Sequence, residues 1–396
     1  MKYAIVIPDG AGDLPQESLG GRTPFEVARC PAFDRVAAEG RFGTTCNIPD
    51  GMPPGSDVAI LSVLGYDPAT TYTGRAPLEA LAQDITLAEG DVAFRCNLVT
   101  VIDGRMIDNS AGGISTEEGA ALLKDLADVL AGGPWELHAG VAYRHLLIHR
   151  GAVDGEIVTT PPHDILEQPI AKHLPQGACA ADLQRMMDTS REVLAQHPIN
   201  RVRQDLDELP ATQIWLWGQG TRPRLRAFKE LHGIRGAAIT AVDLVRGLAR
   251  AIGWEIINVP GATGYLNTNF RGKGEAAIAA LETSDLVLVH VEATDESGHE
   301  GNAANKIKAI EEIDRHVVGP LLGHMETALD QWRLMVLPDH LTPVNVRTHT
   351  CDPVPVGIIG TGMEVVHPGP YTERHAATSG FRVRAGHELM EYFLRM

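Results

Sequence analysis

The sequence predicts an α/β protein: a mostly parallel sheet flanked by helices, with a smaller α/β (α+β) domain inserted into it. Three observations carry that expectation. Apolar runs at 3–7, 286–291 and 333–337 each lead into an acid or an acid–histidine cluster. Between two of these runs, 305–318 repeats apolar residues at helical spacing, which is the strand–helix–strand order of a parallel sheet. The middle of the chain breaks instead into short strands and turns.

Each element follows from local pattern. Run 3–7 is continuously apolar, as a strand buried on both faces is, and Pro8-Asp9-Gly10 ends it. Phe25, Val27, Ala28, Phe33, Val36 and Ala37 have helical spacing across 24–39. A Gly51-Met52-Pro53-Pro54-Gly55 turn leads to Ser56 and a helical run stopped by Gly65 and Pro68. In the middle, 93–102, 143–149 and 214–217 read as strands and 180–196 as a helix. Trp215 and Trp217 alternate in a strand and read as core. Run 286–291 delivers Asp295-Glu296-Ser297-Gly298-His299, run 333–337 delivers Asp339-His340, and a strand at 354–359 follows His349. The expected organisation is a discontinuous domain, 1–86 with 235–396, interrupted by an insertion, 87–234, with hinge material at 233–236.

A length of 396 residues favours two domains. A hydrophobic share of 44% with 21% charged is enough for an ordinary core. The net charge of −17 excludes a nucleic-acid or anionic-membrane partner, since both need a basic face. Five cysteines without a CxxC pair point to a reducing compartment. The first apolar run is interrupted too soon for a signal peptide, and no run is long enough to span a bilayer. The expectation is a soluble cytoplasmic enzyme of open oligomeric state.

Carboxylate oxygen and imidazole nitrogen are the donors for Zn²⁺, Mn²⁺ and similar cations. Asp295, His299, Asp339, His340 and His349 are too many for one tetrahedral site with an open position. With Asp9 and Ser56 they point to two metal ions flanking a serine. Singly, each motif reads as a polar loop. Together they cluster beyond predicted strand ends, where such sheets collect ligands. Ser56 reads either as a helix N-cap or as a nucleophile activated by a base or metal beside a phosphate-attracting helix N-terminus. Lys273, in Arg271-Gly272-Lys273-Gly274, lacks the surroundings of a P-loop. It reads either as a point charge for phosphate or as a solvated lysine before a helix. Arg95, Arg144, His145, His163, Asp164, Arg222 and Arg224 are the basic and polar groups of the middle region that suit a substrate.

Ile7-Pro8-Asp9-Gly10, Gly55-Ser56-Asp57-Val58-Ala59 running into Leu64-Gly65-Tyr66-Asp67-Pro68, the stretch 290–299, and Leu337-Pro338-Asp339-His340 followed by His349 occur in this order. In these motifs the chain resembles the cofactor-independent (2,3-bisphosphoglycerate-independent) phosphoglycerate mutases, archaeal-type branch, of the alkaline phosphatase superfamily. The resemblance covers nearly the whole length. It implies an alkaline-phosphatase-like fold, a small phosphorylated substrate, a transient phosphoserine and two divalent cations, Mn²⁺ first, with Mg²⁺ or Zn²⁺ as alternatives. By resemblance, Asp295, His299 and His349 hold one cation, and Asp9, Ser56, Asp339 and His340 the other. Lys273 holds the transferred phosphoryl group, and the insertion is a substrate domain that closes over the other. The implied reaction interconverts 3-phosphoglycerate and 2-phosphoglycerate through Ser56, with Arg144, His163, Asp164 and Arg222 gripping glycerate.

The chain departs from the family at Asp108-Asn109-Ser110-Ala111-Gly112-Gly113, where archaeal members typically carry two arginines. Stretches 143–147, 161–165 and 215–220 resemble instead a bacterial subgroup proposed to act as homoserine kinases. A homoserine kinase-like phosphotransferase therefore stays open, as do a phosphomonoesterase or phosphodiesterase and a metal-stabilised binding protein.

Overall fold

The apolar runs fold into a sheet of eight strands: β1 (Lys2–Pro8), β2 (Arg41–Thr45), β3 (Gly236–Ile239), β4 (Glu255–Ile257), β5 (Leu286–Val291), β6 (Trp332–Val336), β7 (Val354–Gly360) and β8 (Arg382–Val383). Their order is β4-β3-β5-β1-β6-β7-β2-β8. This computed structural model describes Met1–Arg395. Strands β4, β3, β5, β1 and β6 run parallel, β7 runs against both its neighbours, and β8 is parallel to β2. The central strands β1 and β5 are buried at nearly every position. That is why they read as unbroken apolar runs rather than alternating ones.

Register places the strand ends level. Pro8 pairs with Val291, and Val6 pairs with Val336. Asp9, residues 292–299 and residues 338–340 therefore leave the sheet at one edge. The segment between β6 and β7 has no helix, and an antiparallel return needs none. Because β7 runs backwards, the residues just before it, His349 included, come back to that same edge. The sheet is covered by helices that include Pro31–Glu39, Phe270–Thr283 and Ala303–Ile313, with Phe33, Val36, Ile310 and Ile313 in the core beside Val6 and Val289. A π-helical turn, Asp314–Val318, faces Gly274, where a Cβ would lie 2.0 Å from the His316 carbonyl oxygen. Only glycine allows that approach, which seats the helix carrying Lys273.

The chain divides into two units, Met1–Tyr72 with Arg224 onward, and Thr73–Pro223. The smaller unit has its own antiparallel sheet, built from Val92–Ile102, Arg105–Asp108, Trp135–His138, Arg144–His149 and Gln213–Thr221. Phe94, Leu122, Leu147, Met186 and Trp215 are among its core residues. Both joints lie earlier than the expected 86/87 and 234/235. The Ala76–Ala82 helix belongs to the smaller unit because Ala76 and Ala80 pack with Leu87, Ala93, Leu146 and Ile148. On the return, the Phe228 N–H bonds to the Ile252 carbonyl at 2.9 Å and its ring packs on Trp254. Residues 224–234, Arg224 among them, therefore belong to the larger unit. Among the described residues, no helix is long and apolar enough to cross a membrane.

Candidate metal and serine site

Two donor groups form at the shared edge of the large sheet. The first is sealed. Asp9 follows β1, and Asp339 and His340 follow β6. Adjacent residues in an extended strand point apart, but the chain bends here. The Gly10 and His340 N–H groups both donate to Asp339 Oδ1 at 3.0 Å. Asn47, just past β2, donates to the Asp339 carbonyl at 2.8 Å. His340 Nε2 then lies 3.5 Å from Asp9 Oδ1, 3.3 Å from Asp339 Oδ2 and 3.1 Å from Ser56 Oγ. Asp9 Oδ1 and Asp339 Oδ2 are buried without a hydrogen-bond partner.

Burial raises the Asp9 carboxyl well above its usual range, and the charges of Asp339, Asp295 and Glu292 raise it further. Burial also lowers the His340 imidazole, which favours the neutral ligand form. His290 completes the support. It is fully buried and pushed down to about 4, chiefly by desolvation. Its Nε2 lies 2.9 Å from Asp9 Oδ2, and its Nδ1 lies 3.2 Å from the Thr240 hydroxyl. A neutral His290 protonated on Nε2 donates to Asp9 and accepts from Thr240.

The second group is more open. After β5 the chain turns into a helix, Ala293–His299, so Asp295 and His299 share one face a turn apart. His299 Nε2 lies 3.2 Å from Asp295 Oδ2, His349 Nε2 lies 3.5 Å from Asp295 Oδ1, and the two Nε2 atoms are 3.0 Å apart. His299 Nδ1 donates to the Arg347 carbonyl at 3.0 Å, which turns its Nε2 inward. Burial favours a neutral Asp295, but hydrogen bonds from His299 and His349 outweigh it and hold the carboxyl well below its usual range. Burial lowers His299, Asp295 outweighs it, and the imidazole ends at about 9.

The donor chemistry fits divalent cations. In each group, one atom from each of three residues lies within 4.8 Å of the others, as do atoms of Asp9, Glu292 and Asp295. In the sealed group, two orphaned carboxylate oxygens converge on an imidazole nitrogen, an arrangement that a cation satisfies and a protein donor here does not.

Ser56 opens the Ser56–Val63 helix, but Gly55 is its N-cap, so the serine is not engaged in capping. Lys273 is not solvated. It is fully buried, donates to the His290 carbonyl at 2.9 Å, and is lowered to about 8 by burial against the opposing charge of Glu292.

The smaller unit spreads the expected substrate groups. Arg144 is exposed, 5.1 Å from the Tyr143 ring. His163 and Asp164 sit 3.7 Å apart on an exposed 3₁₀ turn, and Arg222 is exposed just past the Gln213–Thr221 strand. His163 meets the edge of Trp217 at 5.2 Å. The most built feature here is Arg95. It is 5% exposed, lies 4.3 Å from the Trp217 ring, and donates through Nε to Glu79 at 3.0 Å. Arg75 shares that carboxylate at 3.3 Å. Burial lowers Arg95 to about 10, with Glu79 opposing. The sequence signal for Arg95 is a charge inside a mostly apolar strand. His290, Glu292 and Thr342 have no role legible in local pattern, because their partners lie far along the chain.

Residues 37–200 match a family model described as 2,3-bisphosphoglycerate-independent phosphoglycerate mutase. The chain is 48% identical over 394 residues to the enzyme so named from Methanothrix thermoacetophila, covering 100% of both chains. It is 46% identical over 399 residues to a probable enzyme of that name from Geobacter sulfurreducens, again covering 100% of both. Among solved structures it is similar to a Pyrococcus horikoshii protein, with TM-score 0.83 and 32% identity over 99% of this chain and 96% of that one. It is also similar to the cofactor-independent phosphoglycerate mutase of Thermoplasma acidophilum, with TM-score 0.66 and 27% identity over 100% of this chain and 99% of that one.

Proposed function

This chain belongs to the 2,3-bisphosphoglycerate-independent phosphoglycerate mutase family, and we propose that it interconverts 3-phosphoglycerate and 2-phosphoglycerate by passing the phosphoryl group through Ser56. The observation that carries this reading is the Ser56 hydroxyl, unengaged in capping and 3.1 Å from His340 Nε2. A serine needs a base or a cation to become a nucleophile, and a helix N-terminus favours the incoming phosphate. We assign Asp295, His299 and His349 to one divalent cation, and Asp9, Ser56, Asp339 and His340 to a second. Mn²⁺ is our first choice, with Mg²⁺ and Zn²⁺ as alternatives. Such a pair, when bound, lowers the serine pKa and neutralises charge on the phosphoryl oxygens.

Ser56 Oγ attacks phosphorus in line, the bond to the 3-oxygen of glycerate breaks, and glycerate leaves with the electron pair. The 2-hydroxyl of the same glycerate then attacks the phosphoserine, which yields 2-phosphoglycerate and frees Ser56. Lys273, as a buried point charge, holds the transferred group. We assign glycerate recognition to the smaller unit through Arg144, His163, Asp164 and Arg222, with Arg95 as an added buried cation. We place the reaction in the cytoplasm.

The test gives purified protein Mn²⁺ and 3-phosphoglycerate and follows 2-phosphoglycerate through enolase, with homoserine plus ATP in parallel. Production of 2-phosphoglycerate that Ser56→Ala abolishes supports the reading. Activity with homoserine alone would replace it with a phosphotransferase. Release of inorganic phosphate without 2-phosphoglycerate would replace it with a phosphomonoesterase. The kinase alternative keeps one structural argument. At the family departure, Asp108 Oδ1 accepts from the Ser110 and Gly112 N–H groups, and residues 108–113 contain no arginine.

A further inference from the structure

Lys306 lies on the Ala303–Ile313 helix and is completely buried. A buried ammonium is costly unless it is paired and hydrogen-bonded. Lys306 uses all three of its donors: on the Gly12 carbonyl at 3.1 Å, Asp13 Oδ2 at 2.9 Å and the Thr342 carbonyl at 2.8 Å. Its helix does not need this charge for docking, since Ala309, Ile310 and Ile313 already sit in the core. What the partners share is their place. Gly12 and Asp13 lie in the loop that begins with Asp9, and Thr342 lies just beyond Asp339 and His340. Asp13 makes the same span, because its Oδ2 also accepts from the Val344 N–H at 3.2 Å. The Asp13 N–H is fixed in turn on Glu373 Oε1 at 3.0 Å.

Thr342 converts this tie into an aim. Its carbonyl is held by Lys306, and its hydroxyl bonds to Asp295 Oδ1 and lies 3.2 Å from His340 Nδ1. Asp295 belongs to the open group and His340 to the sealed one. One hydroxyl therefore orients a donor in each, and the Nδ1 contact turns His340 Nε2 toward Asp9, Asp339 and Ser56. The helix carrying Asp295 is seated on the same residue: a Cβ at Gly298 would lie 2.4 Å from the Thr342 carbonyl oxygen.

We propose that Lys306, clamped by Asp13, is a positioning residue for both donor groups: acting through Thr342, it fixes Asp295 and His340 so that two divalent cations bind on either side of Ser56. This rests on the reading that the two groups hold cations, so the parent chain is measured first, by calorimetric titration and electron paramagnetic resonance with Mn²⁺ alone. A parent that binds fewer than two Mn²⁺ overturns the two-cation reading and this proposal with it. With two bound in the parent, folded Lys306→Met is expected to bind both Mn²⁺ between about tenfold and a hundredfold more weakly. Thr342→Val is expected to act alike. The double variant should lose no more than the worse single one, because both changes break one linkage. Unchanged Mn²⁺ affinity in Lys306→Met, or fully additive losses in the double variant, overturns the positioning role alone. Should Lys306→Met fail to fold, Asp13→Asn carries the same test: weakened Mn²⁺ binding supports the role and unchanged binding overturns it.

Discussion

The two donor groups draw on the same residue types and differ in their access to water. Side chains of Asp9, Asp339 and His340 are 2%, 0% and 0% exposed, against 35% for His299 and 20% for His349. In the sealed group, acids crowd one another and two carboxylate oxygens go unanswered. It is a half-built polar cluster, costly as it stands, and a cation completes it. In the open group, two imidazoles already answer Asp295, so the cluster closes on itself. A cation entering there competes with the proton on His299. On the proposed two-cation reading, the same chemistry would give one tightly held position beside Ser56 and one exchangeable, proton-linked position.

The largest expected effect is at the residue that touches the sealed group. Ser56→Ala should lower kcat by at least about 10⁴-fold, as loss of a nucleophile does, with metal content mostly retained because Asp9, Asp339 and His340 remain. Next, Asp339→Asn should empty the sealed position, with elemental analysis falling from two metals per chain to one and activity falling on the order of 10³-fold. His299→Ala should instead weaken only the open position, and added Mn²⁺ should restore part of the activity. Equal and unrescued losses in the two variants would break the distinction. His290→Gln removes the donor that orients Asp9, and is expected to weaken the sealed position by about tenfold while leaving the open one intact. Competition titrations read that difference.

The smallest effect is on pH dependence. His299 is raised to about 9 in the folded chain, so its contribution to metal-free stability is fully present below the ordinary imidazole range and is lost as pH rises through about 9. The melting temperature of the metal-free chain should therefore fall across that window, and His299→Gln should flatten the fall. Mn²⁺ affinity at the open position should rise over the same window, because binding displaces the His299 proton.

Much of the site is legible in the sequence because buried parallel strands leave unbroken apolar runs, and an acid at the end of such a run must find a partner. Asp9, Asp295 and Asp339 announce themselves in this way. His349 does not, since its place depends on β7 running backwards, a direction that no local pattern encodes. Lys273 reads two ways until its burial is known. His290 and Arg95 are single charged or polar residues in apolar stretches, Lys306 is one of several polar residues on its helix, and their meaning lies in partners brought near only by folding: Gly12 and Thr342 for Lys306, Asp9 for His290, Glu79 and Trp217 for Arg95. The unit boundary is illegible for the same reason, because the Ala76–Ala82 helix takes its side by packing on Ala93 and Leu146.

The most direct measurement is a rapid acid quench during turnover of 3-phosphoglycerate carrying a radiolabelled phosphoryl group, followed by peptide mapping. The account predicts label on the peptide containing Ser56 and none in Ser56→Ala. Steady formation of 2-phosphoglycerate with Ser56 never labelled, or with Ser56→Ala fully active, would contradict it.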